Sequence, residues 1–168
     1  MQDQTNNTLW SIADSNIQTA QTHFLDSADK DSWLMANDPT TPAKVLEKMA
    51  RIASGSLLER IAGNSAAGTD LLMRLAVHED ESIRAAVAEN PSAHLYVFWV
   101  LSSDSHADVR YALACNYKVP AKVLEALIND ENPYVAYRAQ QTYCVQQSQN
   151  VVELPNSRQT AMQKDSVC

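Results

Sequence analysis

Four histidines, three cysteines and three glycines are the residues in this chain that would serve metal, thiol or phosphate chemistry, and their spacing argues against each in turn. His23, His78, His94 and His106 stand apart, and none lies four residues from a second ligand type, the spacing that puts two metal donors on one helix face. Cys115, Cys144 and Cys168 are odd in number and widely spaced with no Cys-x-x-Cys, which fits reduced thiols better than a disulfide framework or a zinc site. Gly55, Gly63 and Gly68 form no glycine-rich loop of the kind that cradles phosphate, and there is no nucleophile elbow. The expectation is a chain that is not an enzyme and carries no cofactor and no metal.

The remaining polar and aromatic residues with telling positions belong to a repeat. Pro42-Ala43-Lys44-Val45-Leu46-Glu47 recurs as Pro120-Ala121-Lys122-Val123-Leu124-Glu125, 78 positions on, three times 26. Steps of 26 from Val45 reach Leu71, Val97 and Val123; from Leu46 they reach Leu72, Phe98 and Leu124; from Met49 they reach Leu75, Leu101 and Leu127. A second set aligns Leu57, Ile83, Val109 and Val135, and Ile61, Val87, Leu113 and Ala139. Each unit therefore holds two short apolar stretches at helical spacing. Such helices are too short to be stable alone, so neighbouring units must bury them. Pro42 and Pro120 suit helix starts, and Asn64, Asn90 and Asn116 suit helix ends that turn through a left-handed residue.

The predicted fold is all-α, a solenoid of stacked two-helix repeats with a period of 26. Residues 1–36 form an N-terminal segment with a degenerate capping unit, with helices over Ile17 to Leu25 and Asp29 to Ala36 and Trp33 closing the core. Residues 37–147 form four repeats, over 38–63, 64–89, 90–115 and 116–142. Residues 148–168 read as a disordered polar tail, rich in Gln, Ser and Asn with Pro155.

This register sorts the candidate binding residues. Lys44, Asp70, Tyr96 and Lys122 form one column, and Glu47, Met73, Trp99 and Glu125 another on the same side of the first helix, so both should face water. Tyr96 and Trp99 are helical neighbours and Met73 lies one layer away, which makes an exposed apolar patch with the composition of an interface hot spot. The alternative is that the N-terminal segment or the tail around Val151 to Leu154 folds over it. On the other helix a column runs Glu59, Ala85, Tyr111, Tyr137, with Tyr134 a turn before; it reads either as a grooved binding face or as a C-terminal cap. Arg84 and Arg110, one period apart, either line a binding surface or form a structural ladder by bonding carboxylates or loop carbonyls, with Asp80 and Asp104 as candidates; the ladder is preferred.

Lys and Arg total 13 against 20 Asp and Glu, a net charge of −7. Residues 1–36 carry one base and five acids, residues 37–147 ten and thirteen, and the tail two of each. An acidic chain without a basic run argues against general nucleic-acid binding and against anionic membranes. The first thirty residues show no basic region followed by an apolar run, and no stretch has the length of a spanning helix, so the cytoplasm is the expected location.

The pattern Asn-x-x-x-Pro-x-x-Val-Leu-x-x-Leu, carried by Asn116, Pro120, Val123, Leu124 and Leu127, with Val109, Arg110, Ala112, Leu113, Ala114 and Asn116 for the second half, resembles the variant leucine-rich repeat family, a HEAT-like group of bacterial solenoids. The resemblance covers roughly residues 37–142 and implies a right-handed superhelix of helix pairs. Some relatives hold an iron–sulfur centre in an N-terminal cysteine cluster; this chain has no cysteine before Cys115, so that cofactor is not carried over. The expected function is a protein-binding adaptor or scaffold whose partner is another protein or itself. The alternatives are a HEAT-like enzyme, for instance one acting on nucleic acid or a tetrapyrrole, and a small structural subunit of a larger complex.

Overall fold

The computed structural model describes residues 30–152, and the regular structure among them is entirely helical. The helices are α1 (30–37), α2 (Ala43–Ala50), α3 (Gly55–Gly63), α4 (Thr69–Leu75), α5 (Glu81–Glu89), α6 (Leu95–Ser102), α7 (Ala107–Cys115), α8 (Ala121–Leu127) and α9 (Pro133–Val152). From α2 to α8 each has 7 to 9 residues. That is below the roughly 12–15 residues at which a helix holds in water alone, so burial against neighbours supplies the stability.

The packing follows the apolar columns. Helices α3, α5, α7 and α9 form a row in which each lies against the next, and α2, α4, α6 and α8 pack against them. One shared core runs through the described residues. Leu46, Leu72, Phe98 and Leu124 are all buried beneath the outer helices, and Ile61, Val87, Leu113 and Ala139 are buried in the inner row. Each fully buried aliphatic side chain stabilises the fold by about 1.5–3 kcal/mol relative to exposure. At the first pair the seal is looser: Val45, Met49 and Leu57 are half-buried where their counterparts are buried, and α1 is the only described helix that precedes them.

Two local features depart from the sequence expectation. Asn64, Asn90 and Asn116 end α3, α5 and α7 in extended backbone, with φ between −67° and −79°, and no non-glycine residue among those described has positive φ. The left-handed helix end is therefore absent, and these asparagines act through their side chains, as described below. The one positive φ belongs to Gly55, at +51°, where the chain turns sharply from α2 into α3. Second, α9 does not stop near residue 142 but continues past Gln147 to Val152, a polar helix where the composition suggests an irregular tail. The expected helix over Ile17 to Leu25 and residues 153–168 lie outside the described residues.

Candidate interaction surface

Helix α6, Leu-Tyr-Val-Phe-Trp-Val-Leu-Ser, is apolar around its whole circumference. A helix of that kind either lies wholly inside a protein or carries a second apolar face. Here Val97, Phe98 and Leu101 fill the core, while Tyr96 is 60% and Trp99 43% exposed. Phe98 is inside and Trp99 outside, the sidedness that the register requires. On α2 and α8 the same outer positions hold Lys44 and Glu47, and Lys122 and Glu125; on α4 they hold Asp70 and Met73. Met73 is 42% exposed. Leu95, 45% exposed, extends the patch. It was not singled out from sequence, although it is apolar where the other outer helices carry Ala43, Thr69 and Ala121. The Ser102 hydroxyl donates to the Trp99 carbonyl at 2.8 Å.

Tyr111 on α7 and Tyr137 and Tyr134 on α9 are likewise exposed, on the inner row. Their column begins at Trp33 on α1, but Glu59 and Ala85 interrupt it. Trp33 does not plug the core. It is partly exposed and lies under the Arg60 guanidinium, 5.4 Å from the ring centroid, beside a hollow of about 520 Å³ that Glu59 and Glu89 also line.

Arg84 and Arg110 are not on any surface. Both are buried, and each holds the carboxylate in the loop between the two helices of the following pair. Arg84 donates from Nε to Asp104 at 2.7 Å and from the second nitrogen at 3.0 Å, and its third reaches the carbonyls of His78 and Glu79. Arg110 repeats this with Asp130 at 2.7 and 3.0 Å and with the Asp104 carbonyl, and adds Glu131 at 3.2 Å. This is the ladder, with one change of partner: Asp80 does not take Arg84 but accepts the Ser82 N–H, capping α5. Burial alone pushes the Asp104 and Asp130 carboxyls up, but the arginine bonds and the N–H groups of His106 and Asn132 outweigh it and hold both below the usual range. Two of the ten bases in residues 37–147 are thus committed internally, and they are not part of a partner-facing surface.

A second ladder binds the other ends of the pairs. Asn64 Nδ2 donates to the carbonyls of Ala36 and Asp38, Asn90 Nδ2 to those of Ala62 and Asn64, and Asn116 Nδ2 to those of Ala88 and Asn90. Each Oδ1 accepts the N–H two residues on, from Ala66, Ser92 and Lys118. Asp38 occupies the first such position and only accepts, from Thr40; Thr142 occupies the last and only donates, to the Ala114 carbonyl at 2.6 Å.

Among the described residues no three His, Cys, Asp or Glu side chains group to hold a metal. His78 Nδ1 accepts the Asp80 N–H, and His94 and His106 stand exposed at the starts of α6 and α7. Cys115 takes a bond from Arg138 and Cys144 one from Gln140, both at 3.2 Å. No described helix is long and apolar enough to cross a membrane.

No family model, curated protein or solved structure matches this chain. The geometry alone carries the functional reading.

Proposed function

We propose that the chain is a right-handed superhelical solenoid of stacked 26-residue helix pairs, of the variant leucine-rich repeat or HEAT-like kind, and that it acts in the cytoplasm as a non-enzymatic adaptor binding another protein or itself. Two observations support the architecture. Helices α2, α4, α6 and α8 begin at 43, 69, 95 and 121, and α3, α5, α7 and α9 at 55, 81, 107 and 133. The asparagine bonds reach back 26 and 28 residues each time.

The observation that carries the function is the outward presentation of Tyr96 and Trp99 on a helix whose core face is already filled by Phe98. Met73 stands at the Trp99 position of the next helix, about 8–10 Å away at ordinary helix spacing. Large aromatic side chains on a rigid face are the anchors of protein interfaces. Tyr111 and Tyr137 offer a rival face on the inner row. The test compares capture of partners from native lysate by the wild-type chain and by Trp99→Ala, with helicity and melting followed in parallel. The expected result is lost association with the fold intact; capture unaffected by Trp99→Ala but removed by Tyr111→Ala with Tyr137→Ala would move the site to the inner row.

A further inference from the structure

The outer ridge has an internal symmetry that names its occupant. On α2 and on α8 an exposed lysine precedes a glutamate by three residues, as Lys44 and Glu47 and as Lys122 and Glu125, and on α6 the same two positions hold Tyr96 and Trp99. The two columns so formed are oppositely charged at both ends of the ridge; between the ends α6 is aromatic and α4 carries Asp70 and Met73.

We infer that this ridge is a homodimer interface in which a second copy of the chain packs across a two-fold axis running along the ridge midway between the two columns. This rests on the reading of the ridge as an interaction surface and goes further by committing to its partner. Such an axis reverses helix direction, so each outer helix meets its own copy antiparallel. Lys44 then faces Glu47 of the second copy, Asp70 faces Met73, Tyr96 faces Trp99 and Lys122 faces Glu125, each pairing made twice by symmetry. The competing two-fold axis, along the helices, stacks the first pair on the last and sets Lys44 on Lys122 and Glu47 on Glu125. Like charges oppose there, so charge selects the antiparallel arrangement.

Each carboxylate already has a partner in its own chain at Oε1 and keeps Oε2 for another. Glu47 is approached by Arg51 and Arg74 at 3.5 and 3.4 Å and Glu125 by the Tyr143 hydroxyl at 3.1 Å, all through solvent-accessible groups that leave acceptor positions open. The two Tyr96–Trp99 contacts at the centre supply the desolvated anchors, and the flanking charges set the register.

Sedimentation equilibrium on the full chain at micromolar concentrations tests this with two charge variants, Glu47→Lys with Glu125→Lys, and Lys44→Glu with Lys122→Glu. Wild type is expected to dimerise, each variant alone to associate at least about tenfold more weakly with unchanged helicity and melting, and an equimolar mixture of the two variants to recover the dimer. A wild-type chain that stays monomeric, or a dimer indifferent to both variants, overturns the inference. If wild type is monomeric yet loses a different partner on Trp99→Ala, the adaptor reading survives and only the second copy is ruled out. If it is monomeric and Trp99, in a Trp10→Phe, Trp33→Phe background, is shielded from acrylamide, another part of the chain covers the ridge and both readings fall.

Discussion

The pinned margins of the helix pairs and the outer ridge follow opposite rules. Along the margins the same residue returns because the same backbone groups need the same partner: Asn64, Asn90 and Asn116 make one set of bonds three times over. Along the ridge, Lys44, Asp70, Tyr96 and Lys122 fill one position with three kinds of chemistry. None of these four side chains bonds to a neighbouring pair among the described residues. Recurrence in this chain marks a structural task, and departure from recurrence on an exposed face marks freedom that an interface is able to use.

The arginine clamps give the sharpest version of this contrast, because they are present in two pairs and replaced in the first. Leu58 stands where Arg84 and Arg110 recur, and His78 stands where Asp104 and Asp130 recur, so clamp and partner are missing together. The largest expected effect is for Arg110→Ala, which leaves the Asp130 carboxylate buried without its cation; a loss of about 3–5 kcal/mol is expected in urea unfolding. Arg84→Leu should be similarly damaging, whereas Arg84→Leu with Asp104→His, which transplants the first pair's solution, should recover most of that loss in a double-mutant cycle. Equal losses for the single and double variants would mean that the clamp is not the unit of stability.

Asn90→Ala is expected to cost about 2 kcal/mol, since it removes one buried donor from two carbonyls and one acceptor from the Ser92 N–H. Acid should act through the clamps. The folded-state values of Asp104 and Asp130 lie below the ordinary carboxylate value, so their contribution is complete at neutral pH. It is lost as the pH falls through those lowered values, where the unfolded chain already binds more protons. Melting temperature followed down through that window should fall less steeply for Asp104→Asn than for wild type. The smallest stability effect is expected on the ridge, where Trp99→Ala should stay within about 0.5 kcal/mol of wild type. A loss as large as that of Asn90→Ala would turn Trp99 into a structural residue and erase the contrast.

Much of the core was readable from residue types at recurring positions, down to Phe98 inside and Trp99 outside on one helix turn. The arginine ladder was readable as a ladder, but its choice of Asp130 over a nearer acid was not, because which loop lies over a guanidinium is decided by packing. The asparagines misled for a similar reason: an asparagine after a helix has the same sequence appearance whether it turns left-handed or stays extended and reaches back to the preceding pair. Leu95 was hidden by its ordinariness, and the Arg60–Trp33 stack falls one residue outside the 26-residue step that relates α1 to α3. The length of α9 escaped because Gln146 secures the otherwise polar helix by donating to the carbonyls of Tyr117 and Val119.

The asparagine ladder has a direction. Every rung hands its protons backward, to carbonyls earlier in the chain, and never forward. For these bonds alone, cutting a helix pair from the C-terminal end bares carbonyl oxygens, while trimming from the other end takes the acceptors away from amide donors; the arginine clamps run the opposite way, each reaching forward to an acid of the pair that follows. During synthesis each emerging asparagine thus finds its acceptors already made, whereas each arginine waits for a carboxylate still to come.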